Sequence, residues 1–313
     1  MPRRFGRVVT LAQRGEPRAA AAVPALDAVL GDRRLGVLYQ PILHCEAGRD
    51  GLCRWRVERA EALVRAADAV TTLRPAQFLP AVERAGLMPS LFQFVLAEAL
   101  SALIVWQRDF GLAVGVGVNL HSAALADDEL PALLAGLMDV AGIAPSRLTL
   151  ELTETAPIAD LRHAARNLAR LRRAGVRVAL DDFGAGFSTT TRLDWLECDE
   201  LKIDRALVLG LEHSDEQRCV VENLIAMAHA RGMSACAEGV ESHAALRLLG
   251  AFGCDRAQGF LVARPAPAAS FVERVRDWHA RPELGAVAAA GERQLPLPGF
   301  AGPFVAGERD AVA

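Results

Sequence analysis

Val176-Arg177-Val178-Ala179-Leu180-Asp181-Asp182 is a short, mostly apolar run that ends on two adjacent carboxylates. It is rich in β-branched and aliphatic residues, too short for a helix, and stopped by Phe183-Gly184, so it reads as a buried strand. The same form recurs along the chain. Strands are expected at Gly36–Ile42, Val57–Val64, Val114–Leu120, Leu148–Thr153, Val176–Asp181, Glu200–Ile203, Ser234–Glu238 and Gln258–Val262. Amphipathic helical stretches separate most of them: Pro75–Gly86, Pro89–Gly111, Asp128–Val140, Ala159–Ala174, Ser214–Gly232 and Ser242–Gly250. Strands alternating with helices imply parallel β/α units, and eight of them fit a closed β/α (TIM-like) barrel of the α/β class better than an open sheet. No G-x-G-x-x-G follows the first strand, which argues against a dinucleotide-binding open sheet. The first two strands have no helix between them. Gly48-Arg49-Asp50-Gly51 reads as a hairpin turn there, which allows one antiparallel strand.

The bulk properties narrow the rest. The chain has 313 residues, of which 52% are hydrophobic and 23% charged, so a large core is expected and wholesale disorder is excluded. A net charge of -3 gives no global basic footprint for a nucleic-acid polymer or an anionic membrane. Six cysteines without a C-x-x-C pair argue against a zinc ribbon and suggest a reducing, cytoplasmic setting. Cys45 and Cys53 flank the expected hairpin turn and read as two free thiols, with a regulatory disulfide as the alternative. Met1–Arg18 carries five arginines but no apolar core of a signal peptide. Leu91–Trp106, the most apolar helical stretch, is interrupted by Gln93, Glu98 and Ser101 and is read as core or dimer packing, not a membrane span. Residues 1–23 are expected as a flexible lead, 24–281 as the barrel and 282–313 as a disordered tail.

Polar residues fall where a barrel puts its chemistry, at the C-terminal ends of strands. Glu61 lies late in the second strand, Asn119 closes the third, and Glu151 and Glu154 close the fourth. Asp181 and Asp182 close the fifth. Lys202, Glu238 and Gln258 belong to the last three. At least five carboxylates around one mouth would repel one another and shift each other's pKa upward. Divalent cations neutralise such a set, and carboxylates with an amide carbonyl are hard ligands suited to Mg²⁺ or Mn²⁺. Adjacent Asp181 and Asp182 suit two ions, the arrangement used for phosphoryl displacement. A lone acid at a strand end also serves as a helix N-cap, but caps do not call for Asn119, Lys202 and Gln258 at matching places. Lys202 stands out further as the single lysine among the 35 basic residues Lys plus Arg.

These residues resemble the signature of the EAL domains. The resemblance rests on an ordered set: Tyr39-Gln40-Pro41-Ile42, Glu61-Ala62-Leu63-Val64-Arg65, Pro75-x-x-Phe78-x-Pro80, Val118-Asn119-Leu120 and Glu151-Leu152-Thr153-Glu154 come first. Asp181-Asp182-Phe183-Gly184, Asp199-Glu200-Leu201-Lys202-Ile203-Asp204, Ala237-Glu238-Gly239-Val240-Glu241 and Ala257-Gln258-Gly259-Phe260 complete it. It spans about Pro24 to Pro267. The resemblance implies a barrel with an antiparallel first strand and hydrolysis of one phosphodiester of cyclic di-GMP to linear pGpG with two Mg²⁺ or Mn²⁺ ions. It implies metal ligands at Glu61, Asn119, Glu151, Asp181, Asp182 and Glu238, catalytic roles for Glu238, Lys202 and Glu61, and substrate contacts at Gln40, Leu63, Arg65 and Gln258. Glu154 matches a residue that steadies the loop after Asp182, a loop tied in the family to dimerisation, so a homodimer is expected. A catalytically weak receptor or a protein-interaction module is the alternative. Members usually carry Ser after Val-Asn-Leu, where His121 stands here; it reads as a hydrogen-bond donor to a ligand residue or a simple strand-end substitution.

Overall fold

The protein is described by a computed structural model covering residues 26, 29–31, 34–47, 52–67, 72–153, 158, 160–184, 193, 195–281 and 286–288. Strands form at or beside the eight expected places, and two short ones, β3 and β10, were not expected: β1 (Arg34–Ala47), β2 (Leu52–Ala67), a two-residue β3 (Thr72–Leu73), β4 (Gly115–Asn119), β5 (Leu148–Thr153), β6 (Arg177–Phe183), β7 (Glu200–Ile203), β8 (Ser234–Ala237), β9 (Arg256–Gln258) and β10 (Ala286–Ala288). β2 and β4 to β9 pair side by side in parallel, and β1 closes the ring antiparallel to both β2 and β9. Eight strands therefore make a closed mixed barrel with its helices outside, as the alternation predicts. Closure leaves the barrel strands no free edge.

The hairpin of β1 and β2 runs longer than expected, with Arg34 opposite Ala67 at one end and Ala47 opposite Cys53 at the other. Cys45 and Cys53, expected as free thiols, are joined as a disulfide with Cα atoms 5.6 Å apart. Register is the reason: Cys45 sits opposite Trp55 and Cys53 opposite Ala47, so the two cysteines are diagonal cross-strand neighbours. Within the segment expected as a tail, Ala286–Ala288 pair antiparallel with Leu52, Cys53 and Arg54. The rest of that segment, and residues 1–23, lie outside the described residues. The last barrel strand is Arg256–Gln258, not Gln258–Val262. The chain turns at Gly259 because Val240 exchanges backbone hydrogen bonds with Gln258 and Leu261, and Phe260 is left exposed.

The helices turn apolar stripes onto the barrel. Asp160, Ser214 and Ser242 cap three of them by accepting from the third backbone N–H onward. Met88–Phe110 is long and apolar enough to cross a membrane by length and composition. Here it packs into the core along Leu91, Val95, Leu96, Ala99, Leu103 and Trp106. The alternation does not announce the helix Ala268–His279, which buries Phe271, Val272, Val275 and Trp278. Phe271 stacks on the fully buried Trp106 at 4.4 Å, Tyr39 of β1 meets the same indole edge-on at 5.0 Å, and the indole N–H donates to Ala268 O.

Candidate metal centre at the barrel mouth

Side chains alternate across a strand, so residues two apart share a face. That period places two polar layers inside the barrel. Glu61, Asn119, Glu151, Asp181, Lys202 and Gln258 form the upper one. Arg59, Glu200 and Arg256, each two residues earlier, form the lower one. Parallel registers set the upper layer: Asn119 lies beside Glu151, and Asp181 lies beside Thr153, two residues beyond Glu151 towards the mouth. β1 brings Gln40 opposite Glu61. Glu238 follows β8, anchored by its N–H on Ile203 O.

Lys202 is the hub. It is wholly buried, and its Nζ lies 2.7 Å from Glu151 Oε2, 2.7 Å from Glu238 Oε1, 2.9 Å from Asp181 Oδ1 and 3.7 Å from Glu61 Oε2. Glu61 is held from two other sides: Asn119 Nδ2 donates to one oxygen at 3.1 Å and Gln258 Nε2 to the other at 2.6 Å. Gln40 accepts from Gln258 and donates to Ala263 O, tying β1 to the turn after β9. Gly117 is required beneath this layer, because a Cβ there would collide with the Glu151 carboxylate. Asp182 adopts φ 58, the left-handed region that β-strand residues avoid, and so turns its carboxylate beside that of Asp181.

Burial and mutual repulsion show in the protonation of the group. Burial first, then Glu61 and Asp181, push Glu151 up to about 8 despite Lys202. Burial and Asp181 push Asp182 up to about 6. Glu238 is raised well above the usual carboxylate range by burial and by Asp181 and Glu61. Burial works to lower the Lys202 pKa, but Asp181, Glu151, Glu238 and Glu61 outweigh it and hold the ammonium charged. Five carboxylates thus face one ammonium.

The donor set fits divalent cations. Oxygens of Glu61, Glu151 and Asp181 lie within 4.8 Å of one another, as do oxygens of Asp181, Asp182 and Glu238. Asp181 belongs to both groups. Glu151 Oε1 is buried with no hydrogen-bond partner, so it is an acceptor left for a further ligand. The Asn119 amide nitrogen is used by Glu61, which leaves its carbonyl oxygen as a further hard ligand.

Of the residues singled out by sequence, Gln40, Glu61, Asn119, Glu151, Asp181, Asp182, Lys202, Glu238 and Gln258 come together here. Leu63 and Arg65 continue the Glu61 face of β2 towards the mouth. Leu63 lines an adjoining cavity, and Arg65 donates to Val64 O rather than to the cluster. Glu154 lies outside the described residues. Sequence reading did not single out the lower layer, where Arg59 binds Glu200 through both guanidinium ends and Arg256 joins Glu200 at 3.2 Å and Glu58 at 2.6 Å. The signal for it is position alone: each member stands two residues before a member of the upper layer.

The EAL domain profile matches residues 25–265. The chain belongs to the EAL domain family. MucR of Pseudomonas aeruginosa, named a bifunctional diguanylate cyclase and cyclic di-GMP phosphodiesterase, is 34% identical over 259 residues, which is 80% of this chain and 36% of that protein. A second protein of that organism, named a cyclic di-GMP phosphodiesterase, is 29% identical over 268 residues, 84% of this chain and 43% of its own length. The chain spans about a third of the length of the first curated relatives it matches. Among solved structures, that of the PaMucR phosphodiesterase in complex with c-di-GMP superimposes with a TM-score of 0.69 at 30% identity, covering 80% of this chain and 99% of that one. This EAL barrel therefore has cyclic di-GMP phosphodiesterases among its relatives.

Proposed function

We propose that this EAL domain hydrolyses one phosphodiester of cyclic di-GMP to linear pGpG, using two Mg²⁺ or Mn²⁺ ions. The observation that carries the reading is the pair of carboxylate groups that share Asp181 above a buried Lys202. Glu61, Asn119, Glu151 and Asp181 would hold one ion; Asp181, Asp182 and Glu238 would hold the other. Bound there, the ions would neutralise the phosphate and lower the pKa of an attacking water. The protein's own groups supply the rest. Lys202 keeps a fixed positive charge below the reacting phosphate, where negative charge develops. Glu238, held at 2.7 Å by Lys202 Nζ beside Asp181 and Asp182, is the group to take the proton from water. Gln258 and Gln40 orient Glu61, and Arg65 and Leu63 face the substrate from β2.

Residues 24–281 are the unit proposed to carry this activity. A homodimer, with Glu154 steadying the loop after Asp182, and a cytoplasmic location belong to the same reading; sedimentation of the purified chain checks the dimer. The deciding experiment incubates the full chain with cyclic di-GMP and Mg²⁺ or Mn²⁺ and identifies the product by chromatography. Release of pGpG that stops on chelation is expected. Binding without turnover would make the chain a receptor, and neither would make it an interaction module.

A further inference from the structure

The ring of strands puts β2 and β7 four places apart in either direction, so they face each other across the barrel. Two buried ion pairs span that diameter. In the upper layer, Lys202 Nζ of β7 lies 3.7 Å from Glu61 Oε2 of β2. Beneath it the order of charge is reversed. Arg59 of β2 grips Glu200 of β7, with Nη1 donating to Oε2 at 2.9 Å and Nη2 to Oε1. Arg59 and Glu200 are each 3% exposed, so bulk water solvates neither charge. Arg256 of β9 adds a contact to Glu200 Oε2 at 3.2 Å, while its Nε and Nη2 hold Glu58.

Stability does not account for such a layer. A buried ion pair is often no more stabilising than apolar residues of similar volume, whereas removing one partner strands a charge. Its place beneath the centre does matter. Residues two apart on a strand share a face and stand only about 7 Å apart along it. On their own strands, Glu200 is therefore the next charge below Lys202, and Arg59 the next below Glu61. Lys202 has three N–H donors, and Glu151, Asp181 and Glu238 take them within 2.9 Å. A Glu200 without its partner would compete as a further carboxylate for that ammonium and draw it down the barrel. An Arg59 without its partner would compete for Glu61, whose two oxygens now accept from Asn119 and Gln258.

We propose that Arg59 and Glu200 are positioning residues for the centre above them. By neutralising each other in a fork across the barrel, they keep Glu200 off Lys202 and Arg59 off Glu61. The ammonium and the Glu61 carboxylate then stay at the height of the other acids. Both residues act through Lys202 and Glu61, not by touching ion or substrate. The inference rests on the carboxylate cluster being the metal centre proposed above.

The test compares the full-length wild type with Arg59→Met, Glu200→Gln and the double variant Arg59→Met/Glu200→Met. Mn²⁺ affinity is measured by calorimetry on metal-free protein, kcat and KM with cyclic di-GMP, and Tm on each, at a temperature where circular dichroism is native. Each single variant should weaken Mn²⁺ binding and lower kcat about 10–100-fold, the range for groups that orient metal ligands. KM should stay within about threefold, because neither residue meets the substrate. The double variant leaves neither charge to compete and should return Mn²⁺ affinity and kcat to within about threefold of wild type. If Arg59→Met does not fold, Glu200→Gln, which keeps the volume and one acceptor, decides together with the double variant. Folded single variants with lowered Tm but wild-type Mn²⁺ affinity and kcat would reduce the pair to a structural role and overturn the proposal. A double variant no better than the singles would overturn it too. A wild type that binds Mn²⁺ but does not cleave cyclic di-GMP would sink the phosphodiesterase reading, while the Mn²⁺ affinities still decide this one; a wild type that binds no Mn²⁺ would overturn both.

Discussion

Lys202 has three carboxylates within 2.9 Å and no exposure to water. Those contacts make its replacement specific. Lys202→Met removes the one cation of the upper layer, and turnover should fall by about 10²–10³ or more, by analogy with loss of one charge-stabilising donor. Lys202→Arg should fare little better, since a planar guanidinium does not fit a pocket shaped for a compact ammonium. Product release from the purified variants checks both, and wild-type turnover in either would remove Lys202 from the mechanism. This residue stood out in the sequence as the only lysine in a chain that otherwise uses arginine, and the structure places it at the centre of the carboxylates. Its four partners were legible as strand-end acids. That all four reach the same Nζ was not, because the contact depends on the curvature of the closed barrel.

At the scale of elements, two positions show how strands and hairpins bear on the centre. Gly117 leaves room for the Glu151 carboxylate across the β4–β5 register. Gly117→Ala should displace that carboxylate and weaken Mn²⁺ binding at least tenfold in calorimetry, with a smaller loss of global stability. Unchanged Mn²⁺ affinity would show that Glu151 is not a ligand. In the hairpin, thiol titration of the unfolded, unreduced protein should find the four free cysteines Cys198, Cys219, Cys236 and Cys254, and six after reduction. A crosslink across so short a loop stabilises by about 2–3 kcal/mol in the chain-entropy view, so Cys45→Ser should lower Tm. Pattern in the sequence located the hairpin, whose expected turn at residues 48–51 lies outside the described residues, but the cysteine pairing follows from cross-strand register. Likewise β9 ended early because Val240 captured the backbone after Gln258, a contact between segments that no local pattern encodes.

The whole molecule carries the electrostatic cost of its centre. Glu151, Asp182 and Glu238 all have raised pKa values in the folded, ion-free protein. For an acid so shifted, the unfolded chain loses its proton first, so stability falls as pH rises from the ordinary carboxylate range through the folded pKa. Chelator-treated protein should therefore lose Tm between about pH 5 and pH 8, with the windows set by Asp182 near 6 and Glu151 near 8. Added Mn²⁺ binds the ionised form and should raise Tm more at pH 8 than at pH 5. Scanning calorimetry across pH with and without the ion reads both; a Tm increment independent of pH would mean these acids do not hold the metal.

The barrel, its eight strands and the acids at their ends were determined by sequence alone, because strand period, helix period and strand-end polarity are properties of neighbouring residues. The EAL motif order belongs to the same level. Tertiary structure alone decided which carboxylate oxygens gather within 4.8 Å of one another, that Asp181 belongs to both groups, that Arg59, Glu200 and Arg256 lie as a second polar layer beneath, and that a cavity opens beside Asn119 and His121. Those facts depend on distances between residues up to two hundred positions apart, which are set by barrel closure and side-chain packing rather than by any local spacing.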